Sequence, residues 1–379
     1  METQPADNPT WVATPANLQR MIADLSNCKI LAVDTESNSL YAYHEKVCLI
    51  QFSTGEVDYL VDPLALEDLS LLSPIFSNPA IEKIFHAAEY DLISMKRDFG
   101  FKFCNIFDTM LAGRVLARAE LGLAAMLNAN FGVETDKRYQ RANWGKRPLP
   151  AEQLAYARLD THYLIPLRHR LRKALEQNGR LLLAQEDFDR LCSVSQQVHE
   201  NGLSRFWRIV GKNDVTPQQV AVLFALYEYR EEQAEARNLP VFKVIGNKTL
   251  LEMAQTQPRA RDALSWVSGM TPRQVRIHGD GVLEAVERGL CAKPPQRSSR
   301  PQTSGQLLIR LDNLRDWRKK TARAKGVESD IIMPRDILEL IAKKNPKNPN
   351  ELKKIMCDLP WRFEQYYQDI LQVLSRQEG

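Results

Sequence analysis

An apolar run that ends in two acids one residue apart constrains this chain more than any other feature. Lys29-Ile30-Leu31-Ala32-Val33-Asp34-Thr35-Glu36 reads as a strand whose apolar part is Ile30–Val33. Side chains two apart on a strand share a face, so Asp34 and Glu36 point the same way. Two carboxylates closing a buried strand repel each other and resist desolvation unless a cation lies between them. A divalent metal with oxygen ligands meets that need. Further acids must then converge from elsewhere in the chain.

Two segments supply them. Ile81–Phe85 reads as a second strand, and the helix predicted after it carries Asp91 in its first turn. Glu152 to Leu164 has a helical pattern in which Tyr156 and Asp160, four apart, share one face. Each residue also has an ordinary reading. Asp34 ends a strand, Glu36 opens a loop, Asp91 is an N-terminal helix acid favoured by the dipole, and Tyr156 with Asp160 is a surface pair. His86, at the end of an apolar strand, is expected to be a hydrogen-bonded structural histidine. His162, two residues past Asp160, should point away from the acids. Asp108, in Ile106-Phe107-Asp108-Thr109, suits a helix N-cap better than a fifth ligand.

The order Asp-x-Glu, then Asp, then Tyr-x-x-x-Asp resembles the DEDDy exonucleases. His86 through Leu92 and Trp144-Gly145-Lys146-Arg147-Pro148-Leu149 resemble ribonuclease D in particular, and the likeness runs from about Leu18 to Arg172. It implies an RNase H-like α/β fold and 3′-to-5′ removal of single nucleotides. Carried over position by position, Asp34, Glu36, Asp91 and Asp160 hold two divalent metal ions and Tyr156 orients the attacking water. Leu40 resembles the hydrophobic residue that related exonucleases wedge against the terminal base. Hard oxygen ligands favour Mg²⁺ or Mn²⁺ over zinc. A tyrosine with an ordinary pKa of about 10 is a poor base at neutral pH, so Tyr156 is expected to position rather than deprotonate. Trp144 is a candidate substrate contact. Arg147 is a phosphate or loop contact, or equally the partner of an acid.

A chain of 379 residues should hold two or three domains. No apolar run approaches the roughly 20 residues of a membrane span, and no secretory signal is visible. Cys28, Cys48, Cys104, Cys192, Cys291 and Cys357 are scattered with no Cys-x-x-Cys, which predicts reduced thiols in the cytoplasm and no zinc module. A monomer is expected. The net charge of +4 is uneven: residues 1–200 carry 21 Lys and Arg against 26 Asp and Glu, −5, and the remainder 30 against 21, +9. A basic half gathers nucleic acid by neutralising phosphates, or is merely a solvated surface.

The first half alternates. A helix over Ala16–Leu25 precedes strands at Ile30–Val33, Val47–Phe52 and Tyr59–Val61, a helix near Leu66–Phe76, and strands at Ile81–Phe85 and near Asn105–Phe107. Helices follow from Thr109 and over Leu121–Phe131. The pattern predicts a mixed sheet flanked by helices. Asp136 to Pro150 lacks apolar periodicity and sets Lys137, Arg138, Arg141, Lys146 and Arg147 around Tyr139 and Trp144, a basic aromatic loop suited to substrate. From Thr216 onward strands vanish. Two segments read as copies of one helical module: a long charged helix, a short extended piece with proline, then a further helix. The stretch Tyr229 to Pro240 resembles the HRDC domain, and Trp317 to Gly326 is its divergent counterpart. The resulting organisation is an exonuclease domain over 1–205, a first HRDC domain over 212–292, a proline- and serine-bearing linker over 293–303, and a second over 304–379. In the second copy, Arg315, Arg318, Lys319, Lys320, Arg323 and Lys325 lie along one helix, either a solvated face or an RNA-backbone contact.

The expectation is a metal-dependent 3′–5′ exoribonuclease acting on RNA with a free 3′ end, tRNA precursors above all. A DNA 3′–5′ exonuclease shares the same site chemistry, the difference lying in contacts to the 2′-OH. A nucleic-acid-binding scaffold with an inactive nuclease domain is the alternative from another class, and the intact acid set argues against it.

Overall fold

A computed structural model describes residues 8–194, 202–297 and 304–375. It divides into two compact units: Met1–Glu36, Val47–Ser195 and Pro301–Gly379 form one, Ser37–Lys46 and Gln196–Arg300 the other.

The first unit is built on a six-stranded sheet with strand order β1-β4-β3-β2-β5-β6. The strands are β1 (Thr10–Val12), β2 (Ile30–Ser37), β3 (Val47–Ser53), β4 (Asp58–Val61), β5 (Glu82–Phe85) and β6 (Ile106–Asp108). β3 pairs antiparallel with β4, while β1 with β4, β2 with β5 and β5 with β6 are parallel, so the sheet is mixed as expected. Side chains alternate between two cores. Leu31, Val33, Phe85 and Ile106 enter one, and Ala32, Ile84 and Phe107 the other. Every residue of β3 is buried, as a strand covered on both faces requires.

Three details differ from the sequence reading. β2 does not stop at Val33 but runs to Ser37, so Asp34 and Glu36 lie on the strand itself. The short strand β1 was not anticipated; it is held where the amide of Asp62 donates to Val12 O at 2.9 Å. The helix expected near Leu66–Phe76 shrinks to a 3₁₀ turn, Ser70–Leu72, and a short helix, Ser73–Ser77. Asp68 captures the amide and hydroxyl of Ser70 at 2.7 and 2.9 Å, a local turn that competes with helix. Pro74 then suits only a first turn.

The second HRDC copy belongs to this unit. Its long helix is Gly305–Lys325 and its last is Pro360–Ser375. Arg362 is fully buried; its guanidinium donates to Glu186 Oε2 at 2.8 Å, to Asp187 Oδ1 and Oδ2 at 2.8 and 2.9 Å, and to Ile331 O. Glu186 Oε1 accepts the backbone amides of Trp361 and Arg362, capping the last helix from outside it.

In the second unit, Thr216 and Gln219 form a capping box at the start of helix Pro217–Ala236. That helix packs closely on Pro272–Cys291. A Cβ on Gly289 would lie 2.4 Å from Val222 Cα, so only glycine permits the approach. The short proline-bearing piece read as extended is a one-turn helix in both copies, Val241–Val244 and Ser329–Ile332. The neighbouring Pro240 and Pro334 are extended at single positions. Of the predicted linker, residues 298–303 lie outside the described residues.

Candidate active site

The acids meet at the end of β2 because its alternation aims Asp34 and Glu36 at one flanking layer and Thr35 at the other. Asp34 and Glu36 continue the side taken by Ala32, whose core also holds Tyr163, Leu164 and Leu167. Asp160 comes from the helix Ala151–His162, just before that apolar cluster. Oxygen atoms of Asp34, Glu36 and Asp160 lie within 4.8 Å of one another, the one group of acids, histidines or cysteines among the described residues placed to hold a metal ion. Thr35 continues the opposite side, that of Leu31 and Val33. The Asp91 helix, Glu89–Phe99, packs there through Leu92 and Met95. The Thr35 hydroxyl donates to Asp91 Oδ1. Asp91 therefore stands beside the three-acid group, tied to the neighbouring strand residue, rather than within it.

Flanking residues on the Asp160 helix aim it. Arg158 Nε donates to Asp58 Oδ2 at 2.6 Å, and His162 Nδ1 lies 2.8 Å from the same oxygen. Asp58 belongs to β4, so this pair bolts the helix to the sheet and turns Tyr156 and Asp160 to the acids. His162 does point away from them. Burial raises the Asp58 pKa, but hydrogen bonds from His162, Ser53 and Arg158 outweigh it and hold the carboxyl below its ordinary range. The Tyr156 hydroxyl donates to Asp160 and is hydrogen-bonded with Gln140.

The electrostatics are those of buried carboxylates that repel one another. Burial, then repulsion from Asp91, Asp160 and Glu36, pushes Asp34 well above the ordinary carboxylate range. Burial with the charges of Asp160 and Asp91 lifts Glu36 to about 9. Burial takes Asp91 to about 7 against the Thr35 hydrogen bond, and Asp160 to about 7 against that from Tyr156. Burial and the surrounding carboxylates push the Tyr156 phenol up as well. The group offers only carboxylate oxygens, a donor set that fits a hard divalent cation.

The basic aromatic loop is a packing element around Tyr156. Trp144 is 1% exposed, in a cluster with Leu49, Leu60, Leu149 and Tyr156, which corrects the expectation that it meets substrate. The guanidinium of Arg147 is committed to the protein, the second of the two roles open to it. It clamps Asp62 with two bonds of 2.6 Å and donates to Cys48 O, Trp144 O and Lys146 O. Leu40 lies in the segment Ser37–Lys46 of the other unit and is 39% exposed. His86 Nδ1 lies 2.9 Å from Thr109 Oγ1, whose proton goes to Phe85 O; burial lowers its pKa to about 4 and keeps it neutral. Asp108 caps helix Thr109–Val115, accepting from Leu111 N at 2.8 Å and from Ala88 N at 2.7 Å. Sequence reasoning missed Thr35 and Gln140. Strand parity put Thr35 on the face opposite Asp34 and Glu36, but not the Asp91 helix on that side. Gln140 sits in an aperiodic loop and carried no signal.

Residues 9–176 match the 3′-5′ exonuclease family, and residues 219–286 and 308–374 match the HRDC domain. Ribonuclease D of Pseudomonas paraeruginosa is 28% identical over 96% of this chain and 97% of its own length. The chain is a homologue of ribonuclease D. It is accordingly a hydrolase with a 3′-5′ exonuclease domain and two HRDC domains, in a family that uses divalent metals. The exosome complex exonuclease RRP6 of Saccharomyces cerevisiae is 42% identical over 46% of this chain, a match that spans 24% of the yeast protein. The catalytic core of RRP6 from Trypanosoma brucei superposes with a TM-score of 0.67 at 27% identity, over 76% of this chain and 84% of that one. Escherichia coli RNase D shares the fold, with a TM-score of 0.69 at 24% identity over 98% of this chain and 100% of that one.

Proposed function

We propose that this ribonuclease D homologue is a 3′–5′ exoribonuclease that releases mononucleotides from RNA with a free 3′ end, with tRNA precursors as its substrates. The observation that carries the reading is the convergence of Asp34, Glu36 and Asp160, with Asp91 and Tyr156 beside them. In this reading Asp34, Glu36, Asp91 and Asp160 hold two ions, Mg²⁺ or Mn²⁺. Bound there, divalent ions acidify water and stabilise charge developing on the phosphodiester. The protein's own part is to gather the carboxylates and aim them. Thr35 holds Asp91, and Arg158 with His162 holds the Asp160 helix. Tyr156, its pKa pushed up, stays protonated and acts as a hydrogen-bonding orienter rather than a base. The six cysteines stand as thiols rather than disulfides, which supports a reducing compartment, the cytoplasm, and no helix among the described residues is long and apolar enough to cross a membrane. The domain organisation proposed is 1–205, 212–292, 293–303 and 304–379, acting as a monomer.

The test is digestion of matched RNA and DNA oligonucleotides, with free or blocked 3′ ends, during a divalent-metal titration. Stepwise shortening of free-ended RNA that requires metal supports the proposal. Preference for DNA would make the chain a DNA exonuclease, rapid cutting of a circular RNA would make it an endonuclease, and inactivity at every metal concentration would leave a scaffold.

A further inference from the structure

The segment Ser37–Lys46 starts one residue after Glu36, yet it belongs to the compact unit of the first HRDC domain. Asn38 closes its base. The Lys46 amide donates to Asn38 Oδ1 at 2.8 Å, and the Asn38 amide donates to Lys46 O at 3.3 Å. The amides of Tyr41 and Ala42 turn back to Asn38 O at 2.7 and 3.0 Å. The next two amides go to the HRDC domain: those of Tyr43 and His44 both donate to Asn238 Oδ1, at 3.0 and 3.2 Å. The Tyr43 hydroxyl donates to Glu231 Oε2 at 3.2 Å, and its ring packs on the HRDC core. His44 Nε2 lies 3.7 Å from Glu235 Oε1, and Lys243 Nζ sits 4.1 Å from the centroid of the Tyr41 ring. Ordering a loop costs backbone entropy at every residue. Here three of four consecutive residues, Tyr41, Tyr43 and His44, find partners around the C-terminal end of helix Pro217–Ala236 and just beyond it.

We infer that the first HRDC domain is a positioning element of the exonuclease reaction: by gripping Tyr41, Tyr43 and His44 it sets the path of the chain leaving Glu36, with Leu40 on that path. The inference rests on the exonuclease reading. It has a consequence that an RNA-holding arm does not share. A substrate too short to reach any RNA-binding face on the domain still depends on the grip.

Asn238 makes a clean probe. Its φ is +45°, a conformation that asparagine, aspartate and glycine tolerate. Asn238→Gly deletes the acceptor and leaves the backbone relaxed, while Asn238→Asp keeps the acceptor. The substrate is a short oligoadenylate with a free 3′ hydroxyl, given to the full chain with saturating metal. Asn238→Gly should lower kcat/KM about tenfold, as loss of two hydrogen bonds implies, and Asn238→Asp should stay within about twofold. Hydrogen exchange at the Tyr43 and His44 amides should quicken in the glycine variant alone. Unchanged kcat/KM in Asn238→Gly overturns the inference, whatever the exchange shows. Equal losses in both variants overturn it too, since the effect would not come from the acceptor. If Asn238→Gly does not fold, Tyr43→Phe removes only the Glu231 contact; a smaller loss supports the inference and no loss overturns it. Turnover by the unvaried chain tests the exonuclease reading separately, and exchange at Tyr43 and His44 is read without turnover.

Discussion

Two buried clusters of acids in the catalytic unit are solved in opposite ways. Glu186 and Asp187 face Arg362, which satisfies both directly, and the helix amides of Trp361 and Arg362 complete Glu186. Asp34, Glu36, Asp91 and Asp160 repel one another, with a threonine and a tyrosine as hydrogen-bond donors. Even at the paired cluster burial keeps both carboxyls above their ordinary range, with Arg362 pulling the other way. The difference teaches what each cluster is for. A closed cluster ties helix Pro360–Ser375 to helix Leu181–Cys192. An open one stores repulsion that an added cation relieves.

Closing the open cluster should have the largest effect. Asp34→Ala or Asp160→Asn should cut hydrolysis by about 10³-fold or more while leaving RNA binding largely intact. Either change should raise the melting temperature of the metal-free protein, because a repelling charge is gone. Near-normal turnover from either purified variant would falsify the assignment of the site.

Opening the closed cluster comes next. Arg362→Met should destabilise the catalytic unit by about 3–5 kcal/mol, because Glu186 and Asp187 stay buried without their partner. Denaturant unfolding measures this, and a loss below about 1 kcal/mol would mean that the cluster is not holding the second HRDC copy in place. The same contact bears on truncation. Deleting everything after about residue 210 removes Arg362 as well as the basic half, so folding must be checked before a loss of RNA affinity is ascribed to phosphate contacts.

The pH dependence of the metal-free protein sharpens the contrast further. The open-cluster carboxyls have folded pKa values above their unfolded ones. Their contribution to stability is full below the unfolded value, about 4, and is lost as pH rises through about 7 for Asp91 and Asp160 and about 9 for Glu36. The melting temperature should therefore fall across that window, and saturating divalent metal should flatten the fall. His86 works in the opposite sense: its pKa is lowered to about 4, so it withdraws stability as pH drops through its unfolded range toward that value. A metal-free melting temperature that rises steadily up to pH about 9 would contradict the repulsion described here.

The smallest effect is expected at Tyr156. Tyr156→Phe should slow turnover about tenfold, the scale of one orienting hydrogen bond, and leave metal affinity unchanged in calorimetry. Weakened metal binding in that variant would place the phenol among the ligand-supporting groups instead.

Much of the site was legible in the chain because it depends on local periodicity. Asp34 and Glu36 share a face by the two-residue repeat of a strand, and Tyr156 and Asp160 by the four-residue spacing of a helix. The same parity places Thr35 opposite. The Asp108 cap and the neutral, hydrogen-bonded His86 also followed from their positions at strand ends. The loop before the Tyr156 helix was not legible in this way. Its composition suggested a substrate-facing surface, whereas Trp144 fills a core and Arg147 clamps Asp62. A tryptophan or arginine suits either role, and only the partners across the fold decide between them.

By itself the sequence determined most of the element types, the faces shared by Asp34 with Glu36 and by Tyr156 with Asp160, the helical character of both modules and the excess of negative charge that calls for a cation. These follow from repeats of two and about 3.6 residues and from side-chain chemistry, which need no distant partner. Tertiary structure alone decided that Asp91 pairs with Thr35 and that Arg158 and His162 anchor the Asp160 helix on Asp58. It also decided that Arg362 is buried against Glu186 and Asp187, and that Asn238 holds the segment beyond Glu36. Each of these joins residues far apart in the chain. Whether a polar group meets water or another polar group depends on which surfaces are pressed together, and no local pattern records that.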